Sequence, residues 1–190
     1  MSEARLNPEV PFVSILMPLR NEAAYVERCF KAIFSQTYPH DHMEILVADG
    51  ESSDGTAEKI IALSRAADMP VAVWTNPGKI VPTGLNLLIP RARGDVLIRV
   101  DGHCEVAPDY VSQCVAHLQE DRVDGVGGPM QTVGENFISS MTALAMSSKF
   151  GVGNSSFRTE VGKTRLADTV PFPAYTLSIV RKVGLYDEEL

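Results

Sequence analysis

The sharpest chemical pattern in this chain of 190 residues is Asp101-Gly102-His103. On an extended segment alternate side chains point the same way, so the carboxylate and the imidazole can face one cation. Asp with His is a hard-to-borderline donor pair, suited to Mn²⁺ and tolerable for Mg²⁺. The same residues also read as a strand-ending Asp that caps the next turn beside a half-exposed His. Cys104 comes next and should point away from His103, so a Cys–His nucleophile pair is not expected. Three further segments carry polar or acidic groups: Pro18-Leu-Arg-Asn-Glu22, Asp49-Gly-Glu-Ser-Ser-Asp-Gly-Thr56 and Asn76-Pro-Gly-Lys79. No G-x-G-x-x-G follows the first apolar run, which argues against a nicotinamide or flavin cofactor. A phosphate loop of the G-x-x-x-x-G-K-[ST] type and a G-x-S-x-G nucleophile elbow are also absent.

The elements that must position these groups are legible as apolar runs at 12–17, 44–48, 71–75 and 95–100. Each is short, rich in Val and Ile and nearly continuous, as strands buried on both faces should be. Helical periods lie between them. After Asn21, a candidate N-cap, apolar residues fall at Val26, Cys29, Phe30, Ile33 and Phe34. Asp54 is a candidate cap for a second helix with Ala57, Ile60, Ile61 and Ser64 inward; Pro82 opens a third that Pro90 ends. Pro108 opens a fourth, with Val111, Cys114, Val115 and Leu118 on one face. Strand and helix alternating at this spacing predict βαβ units and a mostly parallel sheet with helices on both sides, an α/β fold. Further on, 125–130 reads as a fifth strand, 137–150 as a helix, 151–167 as a mobile loop and 169–180 as one or two short strands. In an open parallel sheet ligands bind beyond the carboxyl ends of the strands. All four polar segments fall at that edge, with Asp49 and Asp101 ending two buried strands, where a carboxylate needs a partner.

Composition narrows the classes further. An apolar share of 45% and a charged share of 22% are those of a folded globular chain, which rules out disorder and collagen-like repeats. A net charge of −7 argues against wrapping nucleic acid, while leaving room for a local phosphate pocket. The length suits a single domain over 1–190. No run reaches the roughly 18 apolar residues that span a bilayer, and the first residues lack the apolar core of a secretory signal. Cys29, Cys104 and Cys114 are odd in number and never spaced C-x-x-C, so neither a disulfide framework nor a zinc knuckle is expected, and a reducing, cytoplasmic setting fits.

Val13-Ser-Ile-Leu-Met-Pro-Leu-Arg-Asn-Glu22, Val47-Ala-Asp-Gly-Glu-Ser-Ser-Asp-Gly-Thr56 and Asp95-Val-Leu-Ile-Arg-Val-Asp-Gly-His103 resemble, in order and spacing, the family 2 glycosyltransferases with the GT-A fold. Arg99-Val-Asp-Gly-His-Cys104 further resembles the bacterial exopolysaccharide branch, the succinoglycan-type glucosyltransferases. The resemblance implies a nucleotide-sugar donor, usually a UDP-sugar, with Pro18, Arg20 and Glu22 around base and ribose, Asp49 on the uracil edge and Lys79 near the diphosphate. Asp54 is expected to cap a helix and order its loop, and Glu51 stands where the family has a smaller residue. The family's metal motif lands on Asp101 and His103; ending in His, it leaves Mn²⁺ or Mg²⁺ open, and which of the two residues binds ion and which ribose.

The implied reaction moves a hexose, with inversion, to a saccharide or polyprenyl-linked acceptor in exopolysaccharide biosynthesis, at the inner face of a membrane in a longer protein. In the family the general base lies some way past a segment like Gly184-Leu-Tyr-Asp-Glu188, which puts its expected place beyond Leu190, the last residue of the sequence. The expectation is therefore a fragment that keeps the donor half of the site and transfers little or nothing, with Asp187 and Glu188 near the catalytic segment without being the base. A sugar nucleotidyltransferase and a catalytically inactive nucleotide-sugar-binding domain stand as alternatives.

Other suggestive residues have ordinary explanations. His40-Asp41-His42 reads as a solvated turn, His117 as a helix-end residue, Trp74 as core filling, and Gly151-Val-Gly153 as flexible loop. Met141 and Met146 are expected to pack, and Cys29 and Cys114 to be inert core thiols.

Overall fold

The structure is a computed structural model that describes residues 10–120, 123–134, 136–152, 156–159, 164, 166–167 and 169–189. In chain order its elements are β1 (Val13–Leu19), α1 (Val26–Phe34), β2 (Met43–Asp49), α2 (Thr56–Ser64), β3 (Val71–Thr75), α3 (Val81–Leu88), β4 (Val96–Arg99), α4 (Tyr110–Glu120) and β5 (Gly125–Val126). Then follow α5 (Phe137–Met146), α6 (Lys149–Val152), α7 (Ser156–Thr159), β6 (Ala174–Thr176) and α8 (Leu177–Val183). One compact unit takes the chain through Val126 and again from Ala174; the other is Gly127–Pro173.

The first unit holds a six-stranded sheet in the order β3-β2-β1-β4-β6-β5. β1 to β4 run parallel, and β6 lies antiparallel to both β4 and β5. The expected α/β architecture is present. Every residue of β1 and β2 is buried, which is why their sequences are mostly apolar on both faces, with Ser14, Glu44 and Asp49 as the exceptions. On one face Ile15, Met17 and Ile45 pack with Phe30 and Ile33 of α1, Ile60 of α2 and Val111 and Leu118 of α4. On the other Leu16, Leu46 and Leu97 meet Leu85 and Leu88 of α3. A large apolar side chain buried this fully contributes about 1.5–3 kcal/mol, so these two layers fix the register in which the strand ends stop.

Glu44 lies inside β2, almost wholly buried. Its Oε1 accepts from Ser14 Oγ (2.6 Å) and the Arg93 N–H (2.9 Å), and its Oε2 from Arg93 Nε (2.7 Å). The buried charge is thus paired and hydrogen-bonded, the condition for tolerating it.

Several expectations need correction. β3 is an edge strand and only half-buried, so Trp74 packs against the second core layer while partly buried, with the Arg91 guanidinium 5.7 Å from its ring. α1 begins at Val26 after a turn, and Asn21 does not cap it, because its own backbone is left-handed (φ 55°) and its side chain is engaged elsewhere. In α2 Ile61 faces outward and Thr56 inward. The fifth strand is two residues long, and 169–180 yields one strand followed by a helix, because the Thr176 hydroxyl accepts from the Ile179 N–H and starts α8 there.

In the second unit Asn136 and Ser139 form a reciprocal cap at the start of α5. The single helix expected over 137–150 stops at Ser147, where the Ser147 and Ser148 hydroxyls donate back to the carbonyls of Leu144 and Ala145 and compete with the helical ladder. Met141 is about half exposed, so its expected packing is not seen. Gly151 and Val152 belong to α6 where flexible loop was expected; Gly153, like much of 151–167, lies outside the described residues.

Candidate functional site

At the carboxyl edge of the sheet the loops after β1 and β2 are tied to each other. Gly50 N–H donates to Leu19 O (2.8 Å), Asn21 N–H to Ser52 Oγ (2.9 Å) and Ser53 N–H to Asn21 Oδ1 (2.9 Å). Glu22 N–H donates to Thr56 Oγ1 (2.8 Å), Ala23 N–H to Asp54 Oδ2 (3.0 Å), and Lys59 Nζ to Ala23 O (2.6 Å). Asp54 Oδ1 takes both the Thr56 hydroxyl (2.5 Å) and the Thr56 N–H (3.1 Å), and these hydrogen bonds, the hydroxyl first, hold its carboxyl below the usual carboxylate range. The loop-ordering role expected of Asp54 is there, although the residue at the helix N-cap is Gly55, at φ 89°.

Arg20 runs over Gly50, where an added Cβ would come within 3.2 Å of the Arg20 side chain. Pro18 sits in β1 against Gly84 of α3, where a Cβ would lie 3.0 Å from Pro18 and 3.2 Å from Asn76 Nδ2. Such close approaches keep the first turn of α3 hard against the strand ends.

Asp49 ends β2, 7% exposed. Its Oδ2 accepts from Ser52 N–H (3.0 Å), and its carbonyl accepts from Asn76 N–H (2.7 Å). Oδ1 is buried without a hydrogen-bond partner, alone in this among the buried side-chain atoms of the described residues. Leaving a buried acceptor unsatisfied costs about 1–3 kcal/mol, more for a charged group. Beside it, Glu51 and Lys79 form an ion pair of 2.5 Å between the loops after β2 and β3.

Beyond β4, Arg99 holds Asp101 by two bonds, Nε to Oδ1 (2.8 Å) and Nη2 to Oδ2 (3.1 Å). His103 Nδ1 lies 2.9 Å from Glu22 Oε1. Underneath, Cys29 Sγ donates to Asp101 O (3.5 Å), and so does the Cys104 N–H (3.1 Å). Burial pushes the thiols of Cys29, Cys104 and Cys114 up to about 12, in keeping with inert cysteines.

The structure thus gathers Pro18, Arg20, Glu22, Asp49, Lys79, Asp101 and His103 at one edge in two contact sets, Asp49 with the β2 and β3 loops and Glu22 with 101–103. Sequence reasoning missed Arg99 as the partner of Asp101, and it expected 101–103 to be extended, whereas the Cys104 N–H closes a turn onto Asp101 O that takes in Gly102 and His103. It also missed Ser52, Thr56 and Asn76, whose polar atoms order the loops.

Asp101 and His103 offer an oxygen and a nitrogen donor, the types a divalent cation such as Mn²⁺ accepts. No three His, Cys, Asp or Glu side chains among the described residues form a cage. Mg²⁺ and its like are commonly held by one or two protein ligands together with substrate phosphates. The Asp101 carboxylate has about four lone-pair sites and Arg99 takes two of them, so acceptor capacity remains.

Elsewhere, His40 bonds Asp68 (2.8 Å) and Gln36 O (3.1 Å), and His42 bonds Val10 O (3.0 Å). Asn86 of α3 clamps residues 186–188, donating to Tyr186 O (2.8 Å) and Glu188 Oε1 (2.7 Å) and accepting from Tyr186 N–H (2.8 Å). Glu188 Oε1 thus accepts from Asn86.

Residues 14–187 match the family described as glycosyl transferase family 2. The chain belongs to that family. Among curated relatives, the succinoglycan biosynthesis protein ExoA of Rhizobium meliloti is 33% identical over 178 residues, which cover 92% of this chain and 52% of ExoA. A dolichyl N-acetyl-alpha-D-glucosaminyl phosphate 3-beta-D-2,3-diacetamido-2,3-dideoxy-beta-D-glucuronosyltransferase of Methanococcus voltae is 27% identical, covering 90% of this chain and 54% of its own. The family 2 chain thus spans about half the length of the curated relatives it matches. Its fold is that of solved glycosyltransferases. The mannosyltransferase PcManGT of Pyrobaculum calidifontis, solved with GDP-Man and Mn²⁺, superposes with a TM-score of 0.73 at 19% identity, covering 98% of this chain and 50% of that one. S. aureus TarS 1-349, solved with UDP, gives 0.70 at 19% identity, covering 94% and 51%. Among the described residues no helix is long and apolar enough to cross a membrane.

Proposed function

We propose that this family 2 chain binds a UDP-sugar at the carboxyl edge of its sheet and serves transfer of the hexose, with inversion, to a saccharide or polyprenyl-linked acceptor in bacterial exopolysaccharide assembly at the cytoplasmic side of the membrane. The observation that carries the reading is Asp49 Oδ1, a buried acceptor at a strand end with nothing to accept from. Uracil presents one N–H on its pairing edge, which suits one open oxygen. Guanine presents two adjacent donors and would call on both oxygens, of which Asp49 Oδ2 already accepts from the Ser52 N–H and has one acceptor site left. Along the sheet the strand ends run from Lys79 after β3, through Asp49 at the end of β2 and Pro18, Arg20 and Glu22 at β1, to Asp101 and His103 after β4. On this reading Pro18 and Arg20 flank the base and ribose and Asp101 and His103 meet the diphosphate, with Glu22 beside them; Lys79, at the opposite end of the row, reaches the diphosphate only by leaving Glu51.

Two charges about 4 Å apart repel by about 4 kcal/mol at an effective dielectric near 20, so a diphosphate beside Asp101 needs neutralising. When bound, a divalent cation, Mn²⁺ or Mg²⁺, supplies that charge and steadies the negative charge that gathers on departing UDP. Arg99 holds the Asp101 carboxylate still, and Lys79 contributes positive charge from the other side once released from Glu51. The base that deprotonates the acceptor hydroxyl is assigned to none of the described residues.

Calorimetry with UDP, GDP and ADP, each with and without MnCl₂, tests the reading. UDP should bind most tightly and gain affinity with Mn²⁺. GDP binding as tightly as UDP would overturn the base assignment, and indifference to Mn²⁺ would overturn the cation site.

A further inference from the structure

The His103 ring is tethered at one nitrogen only. Its Nδ1 meets Glu22 Oε1 at 2.9 Å. A carboxylate accepts and does not donate, so Nδ1 carries the hydrogen, and a neutral ring keeps its lone pair at Nε2 on the other side. Glu22 is itself held at three points. Its N–H donates to Thr56 Oγ1 (2.8 Å), and its carbonyl accepts from the Tyr25 and Val26 N–H groups (2.9 Å each) at the start of α1. Its side chain lies on Gly102, where a Cβ would come within 3.0 Å of Glu22 Cγ. Glu22 is mostly buried, whereas the His103 side chain is more than half exposed, so the anchored partner sets the position of the looser one.

We propose that Glu22 is a positioning residue: it fixes the Nδ1–H tautomer of His103 and leaves Nε2 as the atom that meets the cation. The inference rests on the reading of Asp101 and His103 as the cation pair, and it gives Glu22 a task other than gripping the nucleotide. Gly102 is part of the device, since any side chain there would press on Glu22. A ligating imidazole held by a carboxylate at its other nitrogen is oriented and made more basic, and losing such a partner typically weakens metal binding by about 10-fold to 100-fold.

The test combines two readouts that need no turnover. Long-range ¹H–¹⁵N spectra of the histidine-labelled protein at about pH 8 report the His103 tautomer without metal. Loss of the free Mn²⁺ electron paramagnetic resonance signal on adding protein, with and without UDP, reports metal affinity. The wild type should show Nδ1–H, and Glu22→Ala should move the ring toward Nε2–H and weaken Mn²⁺ by about 10-fold. Glu22→Gln, whose side-chain oxygen still accepts, should recover most of both. Glu22→Asp keeps the charge but shortens the reach, so it should resemble Glu22→Ala and serves where that variant fails to fold. An unmoved tautomer with lowered UDP affinity would make Glu22 a donor contact and overturn the inference while sparing the cation site. A wild type that binds no Mn²⁺, with or without UDP, would instead overturn the underlying reading, whatever the tautomer.

Discussion

Glu51 and Lys79, joined by an ion pair of 2.5 Å, both sit on left-handed backbone, at φ 54° and φ 61°. Two adjacent strand ends therefore each adopt an unfavourable conformation to present one half of a charge pair. Left-handed backbone costs a non-glycine residue roughly 1–2 kcal/mol, and a half-exposed ion pair offsets about 0.2–1 kcal/mol of it. The pair alone does not offset that cost; the bonds from Ser52 N–H to Asp49 Oδ2 and from Lys79 N–H to Asn76 O also hold the loops in shape.

If Lys79 must leave Glu51 to meet a diphosphate, removing the competing carboxylate should help. Glu51→Gln should tighten UDP binding by about 2-fold to 5-fold, the equivalent of an exposed ion pair. Lys79→Met should weaken it. Calorimetry at low salt reads both, and the difference between wild type and Glu51→Gln should shrink as salt is raised.

Asp49→Asn tests the open oxygen. The substitution keeps the shape and removes the charge, so UDP affinity should drop by about 10-fold to 100-fold, the equivalent of one charge-assisted hydrogen bond. Thermal stability of the free protein should hold or rise, because a buried, half-satisfied carboxylate is lost. A less stable protein with unchanged UDP affinity would assign Asp49 to loop architecture only.

The buried Glu44 gives a prediction about the fold. Glu44→Ala strands the Ser14 hydroxyl and the Arg93 N–H without their acceptor and should destabilise by about 1–3 kcal/mol for each donor left unpaired. Arg93→Ala should cost less, because the Ser14 hydroxyl and the residue 93 N–H would still donate to the carboxylate. Urea titration of the two variants, at equal slope, gives the comparison.

Alkaline pH should unfold the protein earlier than its charge alone implies. The three thiols are raised from 9.0 to about 12 by burial. Above pH 9 the unfolded chain sheds those protons while the folded chain keeps them, so stability falls as pH rises, from near 9 until near 12. Replacing Cys29 and Cys114 by Ala should flatten that descent in melting temperatures taken from about pH 8 to about pH 11. Alkylation at about pH 8 should leave both thiols unmodified until denaturant is added.

The elements that sequence made legible are those with one physical demand on them. β1, β2 and β4 are buried on both faces, and continuous Val, Ile and Leu is the direct mark of that. α1 and α4 bury one stripe each, and their spacing displayed it. β3 has the same kind of residues but lies at an edge, and composition carries no sign of what lies beyond a strand. The strand-end carboxylates were legible because a charge ending an apolar run is conspicuous. Their partners were not. Arg99, Ser52 and Thr56 act through contacts that only the packed loops create, and Asn21 acts from a left-handed backbone that its residue type permits without demanding.

The stitching of residues 20–23 to residues 50–59 has a practical corollary for anyone wishing to retune sugar-nucleotide choice. Neither segment is an independent module, since each supplies the missing donors and acceptors of its neighbour. A chimera that imports one from a homologue should lose cohesion at the crevice mouth, whereas transplanting both as a matched cassette should preserve it.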